Sequence, residues 1–266
     1  MRTMLPALLA LTMAGPLSAQ TPPPAAPPVQ PIRPSKIILV GDSTTAVAGG
    51  WGGAFCADHV TSFLACVNLA RGGRSSGSYR TEGSWDVALA EMRTPGYQRS
   101  WVLIQFGHND QPGKPGRSTD LATEFPANLR RYVAEARAAG AIPVLVTPLT
   151  RRMFKGGRLK NDLEPWAETV RRVARETGAP LIDLNARSAA AVQAMREAAA
   201  DRFAQLPPGS ASTPAATTEV DDQPFATRKL SFDRTHLGRE GADYFAAMMA
   251  RELVAAVPET RKLIYP

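Results

Sequence analysis

The chain has 266 residues, 44% of them hydrophobic and 21% charged, with a formal net charge of +7 and a pI near 9.8. That composition excludes an intrinsically disordered or fibrous protein and suits one α/β domain of about 230 residues. The basic balance suits an anionic partner, but no nucleic-acid motif accompanies it, so the charge reads as a solvated surface or as attraction to an anionic polysaccharide.

Residues 1–19 read as a secretory signal peptide cut after Ala19: Arg2, a largely apolar Met4–Ala14 too short to span a bilayer, then Leu17-Ser18-Ala19. A membrane anchor is the alternative. Loss of Arg2 lowers the formal charge to +6. The segment 20–34 carries seven prolines and reads as an extended, disordered lead. The folded domain is expected over 35–266, in a periplasmic or secreted protein with no stable membrane insertion after signal removal.

From there strands and helices alternate. Lys36–Val40 is a continuous apolar strand. Trp51–Leu64 reads as a helix, Cys66–Leu69 as the second strand, Ser84–Met92 as a helix and Trp101–Phe106 as the third strand. A helix over Leu121–Ala139 stops at Gly140, and Ile142–Val146 is the fourth strand. A helix over Leu163–Glu176 stops at Gly178, and Leu181–Leu184 is the fifth strand. Helices follow over Ser188–Phe203 and Gly238–Val254. Strands apolar on both faces belong to parallel sheets covered by helices on each side, so the fold class is α/β, a three-layer αβα sandwich with a five-stranded parallel sheet. Such folds place their sites at the carboxyl ends of the strands, where Ser43, Gly72-Gly73-Arg74 and Gly107-His108-Asn109-Asp110 fall. Residues 204–230, rich in Pro, Ser, Ala and Thr, read as a long loop, either a lid or wall of the site or a disordered insertion. Cys56 and Cys66, the only two cysteines, are open to two readings, a disulfide in an oxidising compartment or two buried thiols.

The chemistry comes from the two ends of the domain. A serine nucleophile needs a base, and the base needs a group that holds its tautomer. Of three histidines, His59, His108 and His236, only His236 has a carboxylate three residues upstream on an expected loop, Asp233. If the ends meet, Ser43, His236 and Asp233 form a triad. Asp42 is read as organising the turn before Ser43, Asp110 as a brace, His108 as a supporting hydrogen-bonding group, Trp51 as packing rather than a sugar platform, and Asp221-Asp222 as solvated charge. No cofactor or metal is required.

These blocks resemble the SGNH (GDSL-type) hydrolases: Gly41-Asp42-Ser43, the glycine Gly73, the GxND of Gly107-His108-Asn109-Asp110 and the DxxH of Asp233-Arg234-Thr235-His236, in the family's order. The resemblance implies the flavodoxin-like SGNH fold. Within the family the chain is most similar to the rhamnogalacturonan acetylesterases, through Gly41–Ala46, Gly50-Trp51-Gly52, Gly73-Arg74-Ser75, Phe106–Asp110, and His236 followed by Gly238 and Gly241-Ala242. It implies an acetylated polysaccharide substrate. Ser43 would be nucleophile, His236 general base and Asp233 its orienting partner. The backbone N–H groups of Ser43 and Gly73 and the side-chain amide of Asn109 would receive the oxyanion. Arg74 and the cations Arg151, Arg152, Lys155, Arg158 and Lys160 are candidates for holding galacturonate carboxylates. An acyl-chain lipase or thioesterase, an acetylxylan esterase and a non-catalytic carbohydrate-binding protein are the competing readings.

Overall fold

A computed structural model describes residues 31–210, 213–214, 229–230 and 232–266. The expected signal peptide, most of the proline-rich lead and much of the 204–230 loop, including Asp221 and Asp222, lie outside the described residues.

The apolar runs form the expected sheet. Strands β1 (Ser35–Gly41), β2 (Leu64–Asn68), β3 (Ser100–Gln105) and β4 (Ile142–Val146) join β7 (Leu181–Ile182) in the order β2-β1-β3-β4-β7, every pair parallel. Two short hairpin strands, β5 (Phe154–Lys155) and β6 (Arg158–Leu159), lie between β4 and β7, and β8 (Thr213–Pro214) pairs with β9 (Lys229–Leu230) near the chain's end. The chain leaves β1 for one edge and returns to build the other, so the direction reverses between β1 and β3. That is the crevice where doubly wound sheets carry their sites.

Helices cover both faces: α1 (Gly52–Asp58), α2 (Ser78–Thr81), α3 (Ser84–Met92), α4 (Glu124–Ala138), α5 (Glu164–Thr177), α6 (Leu184–Asp201) and α7 (Arg239–Ala256). Successive strand residues point to opposite faces. Ile37, Leu39, Trp101, Leu103 and Val144 therefore pack under α1, α6 and α7 with Phe55, Phe245 and Met249. Ile38, Val40, Val102, Ile104 and Leu145 pack on the other face with Trp85, Tyr132, Val133 and Val170. Each such buried aliphatic side chain contributes about 2 kcal/mol of transfer free energy.

Several expected boundaries move. The first helix covers only Gly52–Asp58, because Leu64 opens β2 opposite Ser35 and Val60 bridges Ile264. The fifth strand stops at Ile182. Asp183 caps α6 by accepting from the Ala186 N–H, and the Arg171 guanidinium binds it at 2.8 and 3.0 Å, so Leu184 is helical. Cys56 and Cys66 form a disulfide that ties α1 to β2. The C-terminal strap docks on the end of α1: Thr61 N donates to the Leu263 carbonyl (3.0 Å) and Tyr265 N to that of His59 (2.9 Å). Among the described residues no helix is long and apolar enough to cross a membrane.

Candidate active site

Ser43 follows β1 on a turn that only glycine can enter. A Cβ on Gly41 would stand 2.7 Å from the Gln105 carbonyl oxygen. Asp42, fully buried, shapes the turn: its Oδ1 accepts from Thr44 N (2.9 Å) and Thr44 Oγ1 (2.8 Å), and its carbonyl accepts from Thr45 N and Ala46 N. Thr44 Oγ1 in turn accepts from Gln105 Nε2 (2.7 Å), and Gln105 Oε1 accepts from Trp51 Nε1 (3.1 Å). Trp51 is thus a buried anchor. His108 Nδ1 lies 3.3 Å from Asp42 Oδ2. Burial pushes the Asp42 carboxyl up, but attraction to His108 and the Thr44 hydrogen bonds outweigh it and hold the pKa below its ordinary value. Sequence reading gave both residues supporting roles, and their positions are supporting ones.

The C-terminal loop completes the group. His236 Nε2 lies 2.9 Å from Ser43 Oγ, and His236 Nδ1 lies 2.9 Å from Asp233 Oδ2. Asp233 Oδ1 accepts from the N–H groups of Thr235 and His236, both at 2.7 Å. Burial raises the Asp233 pKa, but the hydrogen bond and charge of His236 with these N–H groups bring it down to about 2. His236 is 38% exposed and Asp233 33%, open enough for a substrate to reach Ser43. The loop is tied down by Leu237 N to the Gly49 carbonyl and Gly238 N to that of Phe203, both at 2.8 Å. A Cβ on Gly238 would strike the Ala204 carbonyl at 2.4 Å.

The main support of this loop is a residue that sequence reading misassigned. Arg152, with no solvent exposure, donates to three carbonyls of the DxxH segment: Asp233 (3.2 Å), Thr235 (3.4 Å) and His236 (2.8 Å). Its backbone N–H takes the fourth, that of Arg234 (2.8 Å).

On the other side of Ser43, a Cβ at Gly72 would sit 3.7 Å from Ser43 Cβ, which brings the β2 loop against the serine. Gly73 has a φ of +78°, the left-handed region that glycine occupies without strain. Asn109 is buried and donates from Nδ2 to the Arg74 carbonyl (3.1 Å), joining the β2 and β3 loops. All five candidate residues thus belong to four loops that meet at one site: Ser43 on the turn after β1, Gly73 on the β2 loop, Asn109 on the β3 loop, and Asp233 and His236 on the C-terminal loop. Three of the six expected carboxylate-binding cations are already committed within the protein. Arg74 pairs with Glu82 (2.7 Å) and the Gly72 carbonyl, Arg151 pairs with Asp162, and Arg152 is committed to the DxxH loop. Those three are corrected to structural roles. Lys155, Arg158 and Lys160 stay exposed.

Asp110 braces the same corner by accepting from Ser76 N (3.0 Å), Ser76 Oγ (2.6 Å) and Thr119 Oγ1 (2.9 Å). Burial pushes its carboxyl up to about 6 from an ordinary 3.8, against those hydrogen bonds. Between these values the folded state holds a proton that the unfolded chain has released. Stability therefore falls as pH rises from about 4 to 6, by roughly 3 kcal/mol for a shift of this size, and then levels off. Asp233, with its lowered pKa, acts oppositely and loses its contribution as pH falls from about 4 towards 2. Asp110→Asn should abolish the first slope. Urea denaturation at pH 4 to 7 checks this, and parallel pH dependence in the two proteins would refute it.

The family model for GDSL-like lipases and acylhydrolases matches residues 39–244. Two curated relatives come from Bacillus subtilis. The probable rhamnogalacturonan acetylesterase YesY is 35% identical over 161 residues, 58% of this chain and 72% of the relative. Rhamnogalacturonan acetylesterase RhgT is 37% identical over 164 residues, 59% of this chain and 67% of the relative. Among solved structures, the Bacillus subtilis protein YxiM superposes with a TM-score of 0.64 at 23% identity, covering 85% of this chain and 58% of that one. Acetylxylan esterase Axe2 of Geobacillus stearothermophilus does so at 0.55 and 20%, covering 84% and 95%. Those two speak to the fold alone. With its sheet order, its strand-end loops and a family match across most of its length, the chain belongs to the GDSL-like lipase/acylhydrolase family and is a hydrolase of ester bonds.

Proposed function

We propose that this protein is a serine acetylesterase that removes acetyl groups from pectic polysaccharide, rhamnogalacturonan in particular. One observation carries the mechanism: Ser43 Oγ, His236 and Asp233 stand in a continuous line of 2.9 Å contacts. The two curated relatives support the substrate.

Ser43 Oγ attacks the acetyl carbonyl as His236 Nε2 takes its proton. Asp233 accepts from Nδ1–H and stabilises the imidazolium that forms. The backbone N–H groups of Ser43 and Gly73 and the free hydrogen of Asn109 Nδ2 receive the oxyanion. A fixed donor of this kind is worth about 3 kcal/mol of barrier. His236 returns the proton to the sugar hydroxyl as it leaves. Water, activated by the same imidazole, then attacks the acetyl-serine, and acetate and free Ser43 result. Export fits the Cys56–Cys66 disulfide, which persists in a periplasmic or extracellular setting, and fits a polymer too large to enter a cell.

The test is acetate release from acetylated rhamnogalacturonan, homogalacturonan and xylan, with Ser43→Ala as the blank. Serine-dependent release, fastest from rhamnogalacturonan, is expected. Cleavage of p-nitrophenyl acetate with no release from any polymer would discard the pectic substrate. A preference for long-chain p-nitrophenyl esters would point to a lipase.

A further inference from the structure

Two cations lie against the Gly73–Asn109 side of the site and pair with no carboxylate among the described residues. Lys114 Nζ donates to the His108 carbonyl (2.6 Å) and to Asn109 Oδ1 (3.4 Å). Arg117 Nη1 donates to the Gly73 carbonyl at 3.4 Å. Both side chains are half-buried. Neighbouring cations are answered: Arg74 by Glu82 and Arg151 by Asp162. Burial, then the charges of Arg151 and Arg117, hold the Lys114 ammonium below its ordinary pKa, with the buried Asp42 and Asp110 acting the other way. A partly desolvated cation without a counter-ion is costly unless an anion arrives to meet it.

The loop that carries the pair is built rather than loose. Ser118 Oγ donates to the Gln111 carbonyl (2.8 Å) and accepts from Lys114 N (2.9 Å). Arg117 N donates to the Lys114 carbonyl (3.0 Å), and Thr119 N to that of Asp110 (2.9 Å). Both cations are thus held in place before any substrate binds, which lowers the entropic cost of using them.

We infer that Lys114 and Arg117 form an anion subsite that takes the carboxylate of a uronic acid residue in the chain whose acetyl group faces Ser43. This rests on the acetylesterase reading above and adds the charge that selects the substrate. The two donors differ in kind: the guanidinium offers a planar fork to a carboxylate and the ammonium a compact charge.

The subsite can be read without polymer deacetylation. Unacetylated oligogalacturonate is expected to inhibit p-nitrophenyl acetate hydrolysis competitively, and more weakly as salt rises. The carboxyl-reduced oligosaccharide should inhibit at least tenfold less. Arg117→Met and Lys114→Met should each raise the inhibition constant of the acidic oligosaccharide about tenfold, the worth of one charge-assisted hydrogen bond, and bring the acidic-to-neutral ratio towards one. Arg117→Lys should retain part of it. Lys262→Met, exposed on the C-terminal strap at the far end of the sheet from Ser43, should keep the wild-type ratio. Because each ratio is measured within one variant, a general loss of activity cancels. Equal inhibition of the wild type by the acidic and reduced oligosaccharides overturns the inference. So does a wild-type ratio in both Met variants, which would leave the cations as braces of the Gly73 and Asn109 loops. Failure to deacetylate pectin alongside selective inhibition would refute the substrate reading and leave the anion subsite standing.

Discussion

Replacing Asp233 by Asn is expected to lower kcat about 10⁴-fold while the protein stays folded. The two carboxylate oxygens have separate duties. Oδ1 holds the backbone N–H groups of Thr235 and His236, and Oδ2 takes the ring nitrogen Nδ1. An asparagine keeps its single oxygen on the two backbone donors and turns its NH2 towards the ring. Nδ1 must then accept, the proton moves to Nε2, and His236 cannot receive the hydrogen of Ser43 Oγ. The loop geometry survives and the base is lost. Steady-state rates on p-nitrophenyl acetate beside a thermal melt check both halves. A loss below tenfold would reduce Asp233 to a loop cap.

The second large effect is expected at a residue that never touches the ester. Arg152→Met should lower kcat about 100-fold with little change in KM, and should also cost on the order of 3 kcal/mol of stability. The substitution keeps much of the volume but leaves the carbonyls of Asp233, Thr235 and His236 without their buried donor, and each unmet buried acceptor costs about 1 to 3 kcal/mol before relaxation. Relaxation shifts the imidazole, and an error of about 1 Å in a catalytic group costs roughly 10²-fold. Burial lowers the Arg152 pKa to about 10, with Asp233 and Asp201 opposing the fall, so the guanidinium is charged across the neutral range. Arg152→Lys, which has fewer donors, should fall between wild type and Arg152→Met. Kinetics well below the melting temperature separate the two effects. A folded Arg152→Met protein with wild-type kcat would make the residue purely structural.

The difference between these two residues shows what the chain discloses in one dimension. Ser43, Asp233 and His236 were legible because each sits in a short motif whose spacing reflects local geometry: a carboxylate three residues before a histidine can reach both the ring and the intervening backbone. The five strands were legible because apolar runs bounded by glycine and proline have few other uses. Arg152 was not, because its partners lie more than eighty residues away and a loop arginine among other cations looks like surface charge. The same blindness credited Arg74 and Arg151 to the substrate and passed over Lys114 and Arg117. Which cation is already answered by a carboxylate is a tertiary fact. Helix α1 was overdrawn because Val60 to Leu64 continues its apolar pattern, and β2 begins there only because β1 lies alongside.

The strap that fastens Leu263 and Tyr265 to the end of α1 has a consequence for how the enzyme comes into being. The serine is in place once β1 and β3 have paired. Its base arrives 193 residues later, on a loop steadied by α7, which packs against α1. Contacts that distant in sequence are the slow ones to form, since the whole intervening chain must be drawn in first. A chain cut short before Asp233 would carry the nucleophile and no base to activate it. Ester cleavage would therefore begin only when the loop carrying Asp233 and His236 has closed against the turn after β1, and the onset of turnover during refolding would time that closure.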